Sequence, residues 1–167
     1  MSEQHISVDL QQLNDLRQRH FGRLLLRTYR AFSTRALEKL RLRGYAGLAL
    51  AHTMLLTNVD VHGTRLTTLA EQIGVSRQAI GNLVHNLEQQ GYIARTVDPT
   101  DRRALIVMLT EAGWRLLEAV VDVKMEIETE YSAILGAEQM HMLRVELIRL
   151  LDQIETIMPE TDTPGPT

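Results

Sequence analysis

Apolar positions recur with helical spacing over most of this chain, and the pattern changes to strand-like runs in one place only. From Val8 to about Arg43, residues Leu10, Leu13, Leu16, Phe21, Leu24, Leu25, Thr28, Phe32 and Leu40 follow one another at three- and four-residue steps without a proline. This predicts one long helix with a break near Gly22 and an end at Gly44. Ala46 to Thr57 is apolar almost all round, which predicts a buried helix. Thr57 to Gly63 reads as a loop, and Gly63-Thr64-Arg65 as a short strand. Leu66, Leu69, Ala70 and Ile73 then share one helical face, and Gly74 follows where a helix stops. Ser76 precedes a further periodic run, Ile80, Leu83, Val84 and Leu87, and its hydroxyl can accept an orphan amide of that helix's first turn.

Two short helices joined by a tight turn, with small Ala70 where they cross, fit a helix-turn-helix and equally an αα-corner of any all-α protein. The next stretch separates the two. Tyr92 to Val97 is strand-prone, Asp98-Pro99-Thr100-Asp101 supplies turn chemistry, and Ala104 to Leu109 is a second apolar run. Together they predict a β-hairpin with Arg102 and Arg103 where it turns back. A helix entered at Ser76 exposes Arg77, Gln78, Asn82 and Asn86, and Gln or Asn can pair bidentately with adenine in the major groove. Beside it Arg102 is placed to enter the minor groove, with Asp101 suited to orient that arginine. The expected fold class is therefore mainly α with a small β-hairpin wing.

Thr110 caps the following helix, which carries Trp114, Leu117, Val120, Val121 and Met125, and Gly136 interrupts it. The last helix holds Met140, Leu143, Leu147, Leu150, Ile154 and Ile157 at alternating three and four steps, a seam of coiled-coil type. Ile148, Leu151 and Met158 add a second apolar edge, so this helix is expected to pack on its own chain and on a second subunit, with Leu143, Leu147, Leu150 and Ile154 at the interface. After Pro159 the tail is polar and proline-rich, and disorder is expected there.

The stretch from Leu66 to Gly113 resembles the MarR family of bacterial transcriptional regulators, which pair such a helix-turn-helix with a DPxDRR wing, here Asp98 to Arg103, and an LTxxG helix start, here Leu109 to Gly113. The resemblance implies a winged helix-turn-helix domain with N- and C-terminal dimerisation helices. It further implies a homodimer on pseudo-palindromic double-stranded DNA, usually a repressor, released by a small aromatic or lipophilic effector. In the family such effectors settle between the first two helices and the helix after the wing. The matching walls here offer Tyr29, Arg30, Tyr45, His52 and Trp114. His52 has a second reading as a core histidine bonded to backbone. The expected organisation is residues 8–45 for dimerisation and one pocket wall, 46–110 for DNA binding, 111–158 for dimerisation, and 159–167 as tail.

Composition bounds the alternatives. The 167 residues suffice for one domain with dimerisation arms, and cysteine is absent, which removes disulfides, thiolate metal sites and thiol-based oxidation sensing. The net charge of −3 opposes DNA binding only if it is evenly spread. It is not. Residues 17–43 are rich in Arg and Lys, while residues 118–130 are rich in Glu and Asp. The basic run reads first as the solvated face of a long helix. No long apolar span and no signal-peptide pattern is visible, so no membrane association and a cytoplasmic location are expected. No catalytic constellation, cofactor loop or short-spaced metal set emerges, so the chain reads as a non-enzyme without cofactor or metal. A winged-helix protein-interaction module and a metal-responsive regulator are the alternatives.

Overall fold

A computed structural model describes residues 17–157. The expectations for Leu10, Leu13, Leu16, Met158 and the tail 159–167 lie outside the described residues. The elements run α1 (Phe21–Leu42), α2 (Leu50–Thr57), β1 (Thr64–Arg65), α3 (Leu66–Ile73), α4 (Arg77–Gln89), β2 (Ile93–Val97), β3 (Leu105–Leu109), α5 (Glu111–Leu135) and α6 (Ala137–Ile157). The three strands form one antiparallel sheet in the order β1-β3-β2. The mainly α fold with a small β wing is thus as the apolar pattern predicts.

The first helix is broken near Gly22 as expected, and the start of the second differs from expectation. The break in the first helix falls at His20, whose backbone is extended (ψ 134°), and Gly22 sits in the first turn of α1 where glycine costs least. The second helix begins at Leu50 rather than Ala46. Gly47 has φ +77° and Ala49 is extended, so residues 46–49 form a turn that an all-apolar run cannot reveal. His52 then reaches back, its Nδ1 accepting the Ala49 amide at 3.0 Å, which is half of a capping box in which alanine supplies no return bond.

Elsewhere the punctuation matches. α3 ends at Gly74 in the left-handed region, φ +71° and ψ 39°, with the Val75 amide bonded to the Ala70 carbonyl at 3.0 Å to close the turn. Ser76 caps α4 by accepting the Ala79 amide at 3.2 Å. Thr110 caps α5 by accepting the Gly113 amide at 3.1 Å, and Gly136 ends that helix.

The core gathers Leu40 of α1, Leu55 and Leu56 of α2, Leu69 of α3, Ile80, Val84 and Leu87 of α4, Ile93 and Val107 of the sheet, and Leu116, Val120, Val123 and Ile127 of α5. α5 is therefore apolar on two faces. One enters this core, whereas Val121 and Met125 on another remain exposed. α6 buries no residue, and Leu143, Ile148, Leu150, Leu151 and Ile154 all stand in solvent.

Candidate nucleic-acid interface

The polar face of α4 follows from its apolar one. Because Ile80, Val84 and Leu87 turn inward, Arg77, Gln78, Asn82 and Asn86 turn out, and all four are exposed. Among the described residues none of these side chains makes a hydrogen bond or ion pair, so their donors and acceptors are available. The Ser76 cap holds the helix start where Arg77 and Gln78 project.

The wing stands beside this helix. Five residue pairs, from Ile93↔Leu109 to Val97↔Leu105, define its ladder. Glu88 near the end of α4 accepts the Arg95 guanidinium of β2 in a two-point bond, one contact being 3.1 Å from Nε to Oε1. That contact ties the wing's base to the polar helix, and it holds the Glu88 carboxyl below its ordinary value. At the tip the Asp98 amide donates to the Ala104 carbonyl at 3.0 Å and the Ala104 amide to the Asp101 carbonyl at 2.9 Å. Arg102 and Arg103 are exposed, and neither side chain has a partner among the described residues. Asp101 accepts the Arg103 amide at 3.0 Å through Oδ1, so it orders the turn through backbone and not through the Arg102 guanidinium.

Asp98 and Thr100 were read only as turn residues and Arg65 only as part of a short strand, and the structure joins all three side chains. Asp98, only 4% exposed, accepts the Thr100 amide and the Thr100 hydroxyl on Oδ1, each at 2.7 Å, and the Arg65 guanidinium on Oδ2. The Thr100 bonds first, and then Arg65, pull the Asp98 carboxyl down to about 2. The Asp-x-Thr spacing is a visible side-chain turn signal. Arg65 carried none, since its reach depends on the sheet order.

Of the five residues read as effector-pocket walls, Tyr29 and Trp114 line two different cavities among the described residues. Tyr29 lines an apolar cavity of about 470 Å³ between α1, α5 and α6, together with Leu25, Phe32, Lys124 and Tyr131. Trp114 lines a polar cavity of about 710 Å³ with Asp60, Arg65 and Gln72. Tyr45 packs on Tyr92 with ring centroids 6.4 Å apart, and Arg30 is exposed on α1. His52 is buried as the α2 cap, with Nε2 unpartnered among the described residues, and burial lowers its pKa. Among the described residues no group of three or more His, Asp or Glu could hold a metal ion, and no helix is long and apolar enough to cross a membrane.

Comparison with known proteins places this geometry. A model of the MarR family matches residues 46–104. The HTH-type transcriptional repressor MdtR of Bacillus subtilis is 30% identical over 95 residues, covering 56% of this chain and 61% of that protein. A putative transcriptional regulatory protein for the hcr operon of Thauera aromatica is 32% identical over 112 residues, 67% of this chain and 64% of that one. The match thus spans less than two thirds of either relative's length. Among solved structures, transcriptional regulator Tm0710 from Thermotoga maritima aligns with a TM-score of 0.60 at 25% identity, over 84% of this chain and 98% of that one.

Proposed function

Because this chain belongs to the MarR family of transcriptional regulators, we propose that it is a homodimer that binds a pseudo-palindromic DNA operator sequence-specifically and acts as a repressor released by a small aromatic or lipophilic ligand. One observation carries the DNA-binding reading: α4 presents Arg77, Gln78, Asn82 and Asn86 free and outward, next to a hairpin whose tip holds Arg102 and Arg103. A helix of this polarity reads base edges, and the tip arginines neutralise phosphate or enter a narrow minor groove. The wing arginines, retained behind a buried and fully bonded Asp98, favour this over a winged helix that serves only protein contacts. On this reading the chain would work in the bacterial cytoplasm, where the chromosome lies.

Dimerisation rests on α6. Its seam of Leu143, Leu150 and Ile154 is exposed within the described chain and continuous with half-buried Leu147, which together with Leu143 borders the apolar cavity. The effector reading rests on the apolar cavity beside Tyr29, with the half-buried Lys124 ammonium as its cation.

Selection of duplexes from a random-sequence pool on the full-length protein tests the first reading. Enrichment of a two-fold symmetric site with half-sites about one DNA turn apart is expected. An unenriched pool would overturn it. Titrating the selected complex with aromatic carboxylic acids tests the second, and a complex indifferent to all of them would count against release.

A further inference from the structure

We propose that Arg65 is the positioning residue of the wing, a fork that fastens the hairpin tip to the start of the helix-turn-helix so that Arg102 and Arg103 meet DNA in a fixed direction. The inference rests on the DNA-binding reading above.

Arg65 lies on β1, opposite Ile106 of β3, and is the last residue before α3. β2 runs along the other edge of β3, so the two outer strands never touch through backbone. The Arg65 side chain joins them. Its Nε donates to Asp98 Oδ2 at 2.7 Å, and its Nη2 lies 2.7 Å from the same oxygen. Nη2 also donates to Thr100 Oγ1 at 3.1 Å, and that hydroxyl donates onward to Asp98 Oδ1 at 2.7 Å. The guanidinium, the carboxylate and the hydroxyl therefore close a ring at the point where β2 gives way to the tip. A two-stranded hairpin is free to twist and bend at its end. This ring removes that freedom four residues before Arg102, and Asp98 is too buried to serve DNA directly.

The fork is what the geometry requires. A guanidinium offers two donors in one plane to Asp98 and shares one of them with Thr100, whereas a lysine ammonium is a single charge on a flexible stem. A simple phosphate contact would accept either residue. That difference makes the proposal testable with the full-length chain and a labelled duplex selected by the wild-type protein.

Arg65→Met is expected to weaken binding about tenfold and to flatten the salt dependence by about two units, the loss seen when two phosphate contacts go. The double variant Arg102→Ala/Arg103→Ala should show the same loss, and adding Arg65→Met to it should change affinity by less than about twofold, since contacting groups that act as one unit are non-additive. Arg65→Lys should resemble Arg65→Met. Asp98→Asn, which breaks the ring from its other end, should mask Arg65→Met in the same way. Rescue by lysine, or an equal loss from Arg65→Met with and without the wing arginines, overturns the proposal, because Arg65 would then touch DNA itself. A wild-type chain that selects no duplex overturns the DNA-binding reading and this inference with it, a result distinct from additivity in a chain that does bind.

Discussion

At the scale of single residues, the interface is explained by what each side chain is kept from doing. Gln78 and Asn82 stand one helical turn apart on α4 and have no protein partner among the described residues, so their amides are uncommitted. Replacing Gln78 by Ala should weaken binding to the selected site by about 1–3 kcal/mol while leaving affinity for a scrambled duplex unchanged. Equal losses on both duplexes, measured by fluorescence anisotropy, would remove Gln78 from base reading. Gly113 shows the opposite constraint. A Cβ there would lie 1.9 Å from the Tyr92 carbonyl oxygen, which also receives the Thr110 amide at 3.0 Å. Thr110 bonds both ways, donating to the Gly91 carbonyl at 2.6 Å and accepting from Gly113 at 3.1 Å. The Leu-Thr-x-x-Gly segment is thus a device for docking the start of α5 against the end of the helix-turn-helix.

At the scale of elements, the split between a basic and an acidic stretch becomes an ion-pair ladder. Arg35 reaches Glu130 at 3.2 Å, Lys39 reaches Glu126 and Glu130 at 2.9 Å each, and Arg43 pairs with Glu126. The C-terminal half of α1 and the middle of α5 are held side by side by these contacts. The expected solvated face is therefore partly an inter-helix seam, while Arg30 remains solvated. The Arg35 and Lys39 bonds pull the Glu130 carboxyl down to about 2, from an ordinary 4.5. A depressed carboxylate contributes stability above its unfolded value, and that contribution is lost as pH falls from about 4.5 towards 2. Comparing thermal melts of wild type and Glu130→Gln from pH 7 to 2 should show the two curves converging over that window. The effect is small because the pairs are partly solvated. Curves that keep their separation at pH 2 would show that the Glu130 bonds do not form in solution.

At the scale of the whole molecule, α6 is an arm whose apolar seam stays exposed among the described residues. It buries no residue, and its Glu128–Arg144 pair with α5 fixes where it lies without covering its seam. An exposed apolar strip of this length is the surface the proposed dimer would cover. A second copy covering it would hold the two α4 helices about 34–36 Å apart, one DNA turn. Leu147→Glu together with Leu150→Glu should give monomers or unfolded chains that no longer bind the selected duplex. Sedimentation that finds a folded monomer with full DNA affinity would sink the dimer reading.

The helix-turn-helix and the wing were legible in the sequence because each depends on local chemistry. Ser76 and Thr110 announce helix starts, Gly74 and Gly136 announce ends, and the change from three-and-four spacing to strand-prone runs at Tyr92 announces the hairpin. The outward face of α4 followed from its inward one. Where α2 begins was not legible, since an all-apolar run has no face to break and the turn is set by Gly47 at φ +77°. That Tyr29 and Trp114 border different cavities was not legible either: each is amphipathic on its own helix, and only the packing of α5 between α1 and the sheet decides which cavity it meets. The same holds for the Arg65–Asp98–Thr100 ring. Its members are 33 and 35 residues apart in the chain, and they meet because the order β1-β3-β2 brings the two outer strands to the same end of one small sheet.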